Sequence, residues 1–204
     1  LEVPRLRARP VDRLVDVGNG TKACNTTGTA GDDYPEASFN WEIAQLAVER
    51  LDAAGATVLL TRTDNDGWGP CVDERAGVGN EAGADALISI HADGGPPDGR
   101  GFHVIHPALV PGLTDDIHEA SRRLAVALHT AVRGTAMPVA DYIADAGFSE
   151  RDDLGGLNLS DVPAVFLEAG NMRNVEDLAL LRDPEFQQHL AEAIATALID
   201  FLTD

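Results

Sequence analysis

Two polar residues stand directly behind apolar, strand-like runs, and their types could do hydrolytic chemistry: His91 after ALISI at 86–90, and Glu168 after AVFL at 164–167. In a mostly parallel sheet, ligands bind beyond the carboxyl ends of the strands, so both side chains would project from one edge. A buried carboxylate there is costly unless a cation or a donor satisfies it. Glu168 therefore either pairs with an arginine, Arg151 and Arg173 being candidates, or faces a catalytic centre. His91 can also be read as a core histidine bonded to backbone. Glu36, just ahead of the first helical pattern, could serve the helix dipole or the site. Asp93 either orients a ligand from behind or simply turns the chain before Gly94 and Gly95. A histidine, a glutamate and a further carboxylate are parts of a mononuclear zinc hydrolase, in which two histidines and a glutamate hold the ion and leave one position for water.

The elements that must position these groups alternate in type. Residues 1–35, rich in Arg, Gly, Thr and Asp, predict an extended loop region with one short strand at 13–17. The spacing of Phe39, Ile43, Leu46, Ala47 and Leu51 predicts a helix capped by Ser38 and closed by Gly55, followed by a strand over ATVLL at 56–60. A short helix between Asp73 and Gly83 precedes ALISI, whose unbroken apolar character predicts burial on both faces. GFHVIH at 101–106 predicts a strand with His103 and His106 on opposite faces, and 114–132 a long helix. Residues 133–160 read as loop; after Pro163 come the strand AVFLEAGN and helices at 175–181 and 184–202. His118, His129 and His189 fall in helical patterns and read as surface or satisfied core groups, Glu42 as solvated, Arg75 and Asn80 as structural. The expected fold class is α/β: a three-layer sandwich with a mostly parallel twisted sheet flanked by helices, a single domain in which 1–35 pack on a catalytic region spanning 36–204.

Composition narrows the partners. Fifteen Lys and Arg against 34 Asp and Glu give a net charge of -19, with no basic cluster to neutralise a row of phosphates, which argues against nucleic acid. No run of about 18 apolar residues exists, so no membrane span is expected. The first residues also lack the apolar stretch of a signal peptide, so any export signal is expected to be gone already. Cys24 and Cys71 lie in Gly/Thr/Pro-rich segments and read as one disulfide, two separate buried thiols being the alternative. Such a bridge would restrain the unfolded chain by about 4 kcal/mol and implies an oxidising compartment.

Taken in order, PEASFNWEIAQLAVERL, LLTRTDND, DERAGVGNEAGADALISIHADGG, GRGFHV and LNLSDVPAVFLEAGNMRN resemble the zinc-dependent N-acetylmuramoyl-L-alanine amidases of type 3. GTKACNTTGT and the cysteine pair are similar to the small secreted cell-wall amidases of mycobacteria, in which the pair is disulfide-bonded. The resemblance implies that Glu36 and His91 are zinc ligands and that Glu168 is the catalytic glutamate, not a ligand. It further implies a peptidoglycan or muropeptide substrate, cut between N-acetylmuramic acid and L-alanine, and a secreted, periplasmic or wall location, with a monomer expected. One departure stands out. The family's first strand ends in Asp-Pro-Gly-His, whose histidine is another ligand, and no such motif occurs here; LVDVGNG offers only Asn19. The expectation is that this strand precedes Leu1, since its loss would leave a gap in the sheet. A metal-free muropeptide-binding module and a zinc carboxypeptidase are the competing readings.

Overall fold

The computed structural model describes residues 13–67 and 69–203; whatever the sequence predicts for 1–12 lies outside them. The chain opens with two small antiparallel pairs, β1 (Leu14–Asp16) with β2 (Thr21–Ala23) and β3 (Ala30–Gly31) with β4 (Tyr34–Pro35). There follow α1 (Glu36–Ala53), α2 (Val72–Ala82), β5 (Leu87–Asp93), β6 (His103–Pro107) and α3 (His118–Val132). The last third contains β7 (Phe148–Arg151), α4 (Gly155–Asn158), β8 (Ala164–Asn171), α5 (Val175–Leu181) and α6 (Pro184–Thr203).

The main sheet has the order β5-β8-β6-β7, with β5·β8 and β6·β7 parallel and β6·β8 antiparallel. Alternation sorts its side chains onto two faces. Val104, Val165 and Leu167 face a core built with α1, α3 and α6, where Phe39, Ile43, Leu124, Leu128, Leu190 and Ile194 interlock. Ile105, Ala164 and Phe166 face the other way, against Leu157 of α4. The three-layer α/β sandwich expected from the sequence is the fold observed.

Differences from the expected elements have local causes. α1 starts at Glu36 rather than after Ser38, because the extended Pro35 ends β4 and the Glu36 N–H is already taken by the Thr29 carbonyl at 3.0 Å. α3 starts at His118 because Thr114 is spent on the preceding turn: its Oγ1 accepts from Val110 N–H and donates to the Ala108 carbonyl. ATVLL at 56–60 is not a strand; among the described residues it has no ladder partner, and Leu59 is 52% exposed. β5 is accordingly an edge strand, and Leu87, Ile88 and Ile90 are half-buried rather than enclosed on both faces. β7 and α4, inside the stretch expected to be loop, are each only 4 residues long.

One buried carboxylate fastens the strand ends together. Asp177, inaccessible in α5, accepts from Gly101 N–H at 2.6 Å, Asn171 N–H at 3.0 Å and Arg100 Nε at 3.1 Å. It therefore joins the end of β8 to the entry of β6. Removing a buried charge that carries several donors typically costs about 3–5 kcal/mol. Asp177→Ala should lower stability by roughly that much in urea denaturation; a loss under about 1 kcal/mol would show that the three donors find other partners.

Candidate active site

The sheet register assembles a row of ionisable groups. His91 on β5 is the partner of Glu168 on β8, and Glu168 is the partner of His103 on β6. Partners in register share a face, and neighbouring strands are about 4.8 Å apart, so His91 and His103 flank Glu168 at the same level. α1 begins above this row, and its first residue reaches in: Glu36 Oε1 lies 2.8 Å from His91 Nδ1. The imidazole is stacked flat on Phe166, with centroids 4.9 Å apart, which fixes the ring plane.

Glu36 is held from behind. Its other oxygen, Oε2, accepts from Thr29 N–H at 2.9 Å. Gly28 makes this possible: its φ is +72°, and a Cβ there would fall 2.6 Å from that oxygen. Burial pushes the Glu36 pKa up, but the bond from His91, the charge of His91 and the Thr29 N–H outweigh it, and the carboxyl ends below its ordinary value. Burial pulls His91 down, yet the bond to Glu36 and the charges of Glu168 and Glu36 leave it raised. Each shift favours the charged form of its group, and the two side chains hold each other through this one hydrogen bond.

Glu168 has the opposite character. Desolvation pushes its pKa up to about 8; His91 opposes this, and the negative charges of Glu36 and Asp93 add to it. Its Oε2 is shut from solvent and has no hydrogen-bond partner among the described residues. Arg151, considered as a neutralising partner, spends its guanidinium on both oxygens of Asp153 at 2.7 Å and reaches Glu168 only through its field. A carboxyl that titrates close to neutrality beside a pinned imidazole can take up and return a proton at working pH.

Other sequence-derived candidates fall out differently. Asp93 accepts from Gly94 N–H at 2.6 Å and from the Tyr142 hydroxyl at 2.9 Å, so it organises the loop after β5 instead of bonding His91 or Glu36. Asn19 donates to the Asp152 carbonyl and takes no part in the site. Glu42, expected to be solvated, is partly buried in contact with the Tyr34 hydroxyl and Gln187. Cys24 and Cys71 are disulfide-bonded, and Cys71 caps α2, its N–H donating to Glu74 at 2.8 Å. That bridge seats Arg75, read from sequence as structural; its Nε donates to the Pro70 carbonyl at 3.0 Å, and its charge acts on both Glu36 and His91. His103 joins the row: it faces Glu168, its Nδ1 is buried without a partner among the described residues, and burial lowers its pKa. Period-2 alternation put His103 and His106 on opposite faces, but only the register could say which one meets Glu168.

The donor set suits a borderline cation such as zinc: a carboxylate and an imidazole within 2.8 Å, with an unpartnered buried carboxyl oxygen across the strand. Among the described residues, no third His, Cys, Asp or Glu joins Glu36 and His91 as a ligating group of three.

A stability consequence follows for the metal-free protein. Below about pH 4.5 Glu168 is protonated folded and unfolded; between that and about 8 only the unfolded chain releases the proton, so its contribution to stability falls as pH rises. Glu168→Gln removes this penalty, and its melting temperature should gain on the parent steadily from pH 5 to about 8 in chelator and then level off. An unchanging gap would place the carboxyl in water.

The profile of the N-acetylmuramoyl-L-alanine amidase family matches residues 14–200. The N-acetylmuramoyl-L-alanine amidase Rv3717 of Mycobacterium tuberculosis is 39% identical over 194 residues, covering 94% of this chain and 80% of that protein. The crystal structure of the amidase Ami1 from Mycobacterium smegmatis superposes with a TM-score of 0.91 at 40% identity, over 97% of this chain and 92% of that one. Apo Ami1 from Mycobacterium abscessus gives 0.89 at 37% identity, over 95% and 91%. On the family match and these two levels of similarity, the chain belongs to the N-acetylmuramoyl-L-alanine amidase family.

Proposed function

We propose that this protein hydrolyses the amide bond between N-acetylmuramic acid and L-alanine in peptidoglycan fragments, with Glu36 and His91 as zinc ligands and Glu168 as the proton-transferring base. The observation that carries the reading is the buried oxygen of Glu168 that has no partner among the described residues, on a carboxyl poised near neutral pH next to the Glu36–His91 pair. Zinc at these residues supplies a Lewis acid that polarises the scissile carbonyl and makes water acidic enough to attack near neutral pH.

The chain's own groups do the rest. Phe166 holds the His91 ring plane, and Thr29 N–H with Gly28 fixes the Glu36 carboxylate, so both present the same atoms at each turnover. Glu168, as carboxylate, takes a proton from the attacking water at Oε2 and delivers it to the departing amine of L-alanine. The desolvation that raises its pKa also strengthens it as a base over an ordinary surface glutamate. A monomeric catalytic domain, on which the N-terminal hairpins pack, is part of the same reading. The Cys24–Cys71 bridge supports action outside the reducing cytosol, as a wall substrate requires.

A second reading, a metal-free module that grips muropeptide without cutting it, is favoured by one feature: Glu36 and His91 satisfy each other directly. Metal content and product analysis separate the two. Zinc-loaded protein should release the intact peptide from a muramyl peptide, detected by mass spectrometry. Glu168→Gln should cut that rate by about 100-fold or more while keeping the zinc held at Glu36 and His91, and His91→Ala should lose both the rate and the zinc of that site. Muropeptide binding without zinc and without release would establish the module, and release of a single terminal amino acid would establish a carboxypeptidase.

A further inference from the structure

A second set of ligating side chains lies away from the amidase site. His106 on β6, Glu150 on β7 and His118 at the start of α3 each turn one donor atom toward a common point, all within 4.8 Å of one another. Three separate elements converge there for physical reasons. His106 and Glu150 are register partners on parallel strands, so they share a face of the sheet. His118 is the first residue of α3, which packs across β6, and its Nε2 lies 3.1 Å from Glu150 Oε1. The two imidazole rings meet edge to face with centroids 6.3 Å apart.

This cluster is distinct from the Glu36–His91–Glu168 row. β6 runs antiparallel to β8, and His103 is the residue level with Glu168. His106 is three residues further on, about 10 Å along the strand, and an odd step puts it on the opposite face. It therefore faces the α3 layer at the far end of the sheet.

We propose that His106, His118 and Glu150 form a binding site for one divalent transition cation, zinc in the first instance. Two imidazoles and one carboxylate are the donor set of three-ligand zinc sites with a fourth position for water. The tautomer is suitable: His106 Nδ1 lies 3.2 Å from the Pro107 carbonyl, which can only accept, so Nδ1 carries the hydrogen and Nε2 keeps a free lone pair. Ligand atoms around tetrahedral zinc are about 3.3 Å apart, so closing from at most 4.8 Å asks only for side-chain rotation. The mixed burial provides a route: the His106 base is buried, while the side chains of His118 and Glu150 are 23% and 53% exposed. As a bare pair at the surface, His118 and Glu150 would contribute little. Bridged to His106 by an ion, they tie the start of α3 to β6 and β7.

The test uses the full chain carrying His91→Ala, which silences the other site, and titrates it with zinc sulfate by calorimetry. One equivalent of zinc should bind, and zinc should raise the melting temperature. Adding His118→Ala or Glu150→Gln, both at partly exposed positions and each checked by circular dichroism for native fold, should weaken binding at least tenfold and abolish the thermal shift. The same two substitutions in the otherwise unaltered chain should leave muramyl-peptide hydrolysis untouched, so failure here is distinguishable from failure of the amidase assignment. No saturable zinc binding in the His91→Ala chain, or equal affinity in the added variants, would overturn the proposal.

Discussion

Two carboxylates and one imidazole share a partly closed space at the end of the sheet, and their mutual charges govern how the site can work. Glu36 and His91 are hydrogen-bonded to each other at 2.8 Å. Glu168 lies beside them in surroundings that penalise ionisation, with the Glu36 charge adding to the effect, so it keeps its proton until about pH 8. A cation arriving at Glu36 and His91 changes that balance at once, because an added positive charge favours the Glu168 carboxylate. In the proposed hydrolase the acid–base character of Glu168 would thereby be linked to metal occupancy through electrostatics.

The scaffold exists to maintain this spacing. β5 and β8 set His91 and Glu168 side by side by register, and a slip of one residue would send one of them to the other face. Asp177 fastens the end of β8 to the start of β6, and Asn174 caps α5 directly behind it, accepting from Glu176 and Asp177 N–H. The disulfide does the corresponding work for α2 and Arg75. The apolar core on the α1, α3 and α6 side anchors α1 through Phe39 and Ile43, and so determines where Glu36 can reach.

Much of this was legible in the sequence, for identifiable reasons. His91 and Glu168 announced themselves because polar residues ending buried runs are expensive, and the α/β alternation placed both at one edge. Glu36 did not: an acid in a first helical turn is ordinary dipole chemistry, and only the family pattern marked it. ATVLL at 56–60 has strand composition, but a strand is a property of a pair, and among the described residues none lies against it. β7 and α4 were too short to carry a period. The roles of His103, Asp93 and Tyr142 depend on register and on a loop returning from 40 residues or more away in the chain, which no local window contains.

The central claim is that Glu168 is a buried acid whose ionisation is controlled by what Glu36 and His91 hold. It is tested most directly by following the Glu168 carboxyl carbon in isotope-labelled protein by NMR across pH, with chelator and then with zinc, using Glu168→Gln to assign the signal. The account predicts titration near 8 without metal and a marked downward displacement when zinc is added. A carboxyl that titrates at the ordinary glutamate value near 4.5, with and without zinc, would contradict it.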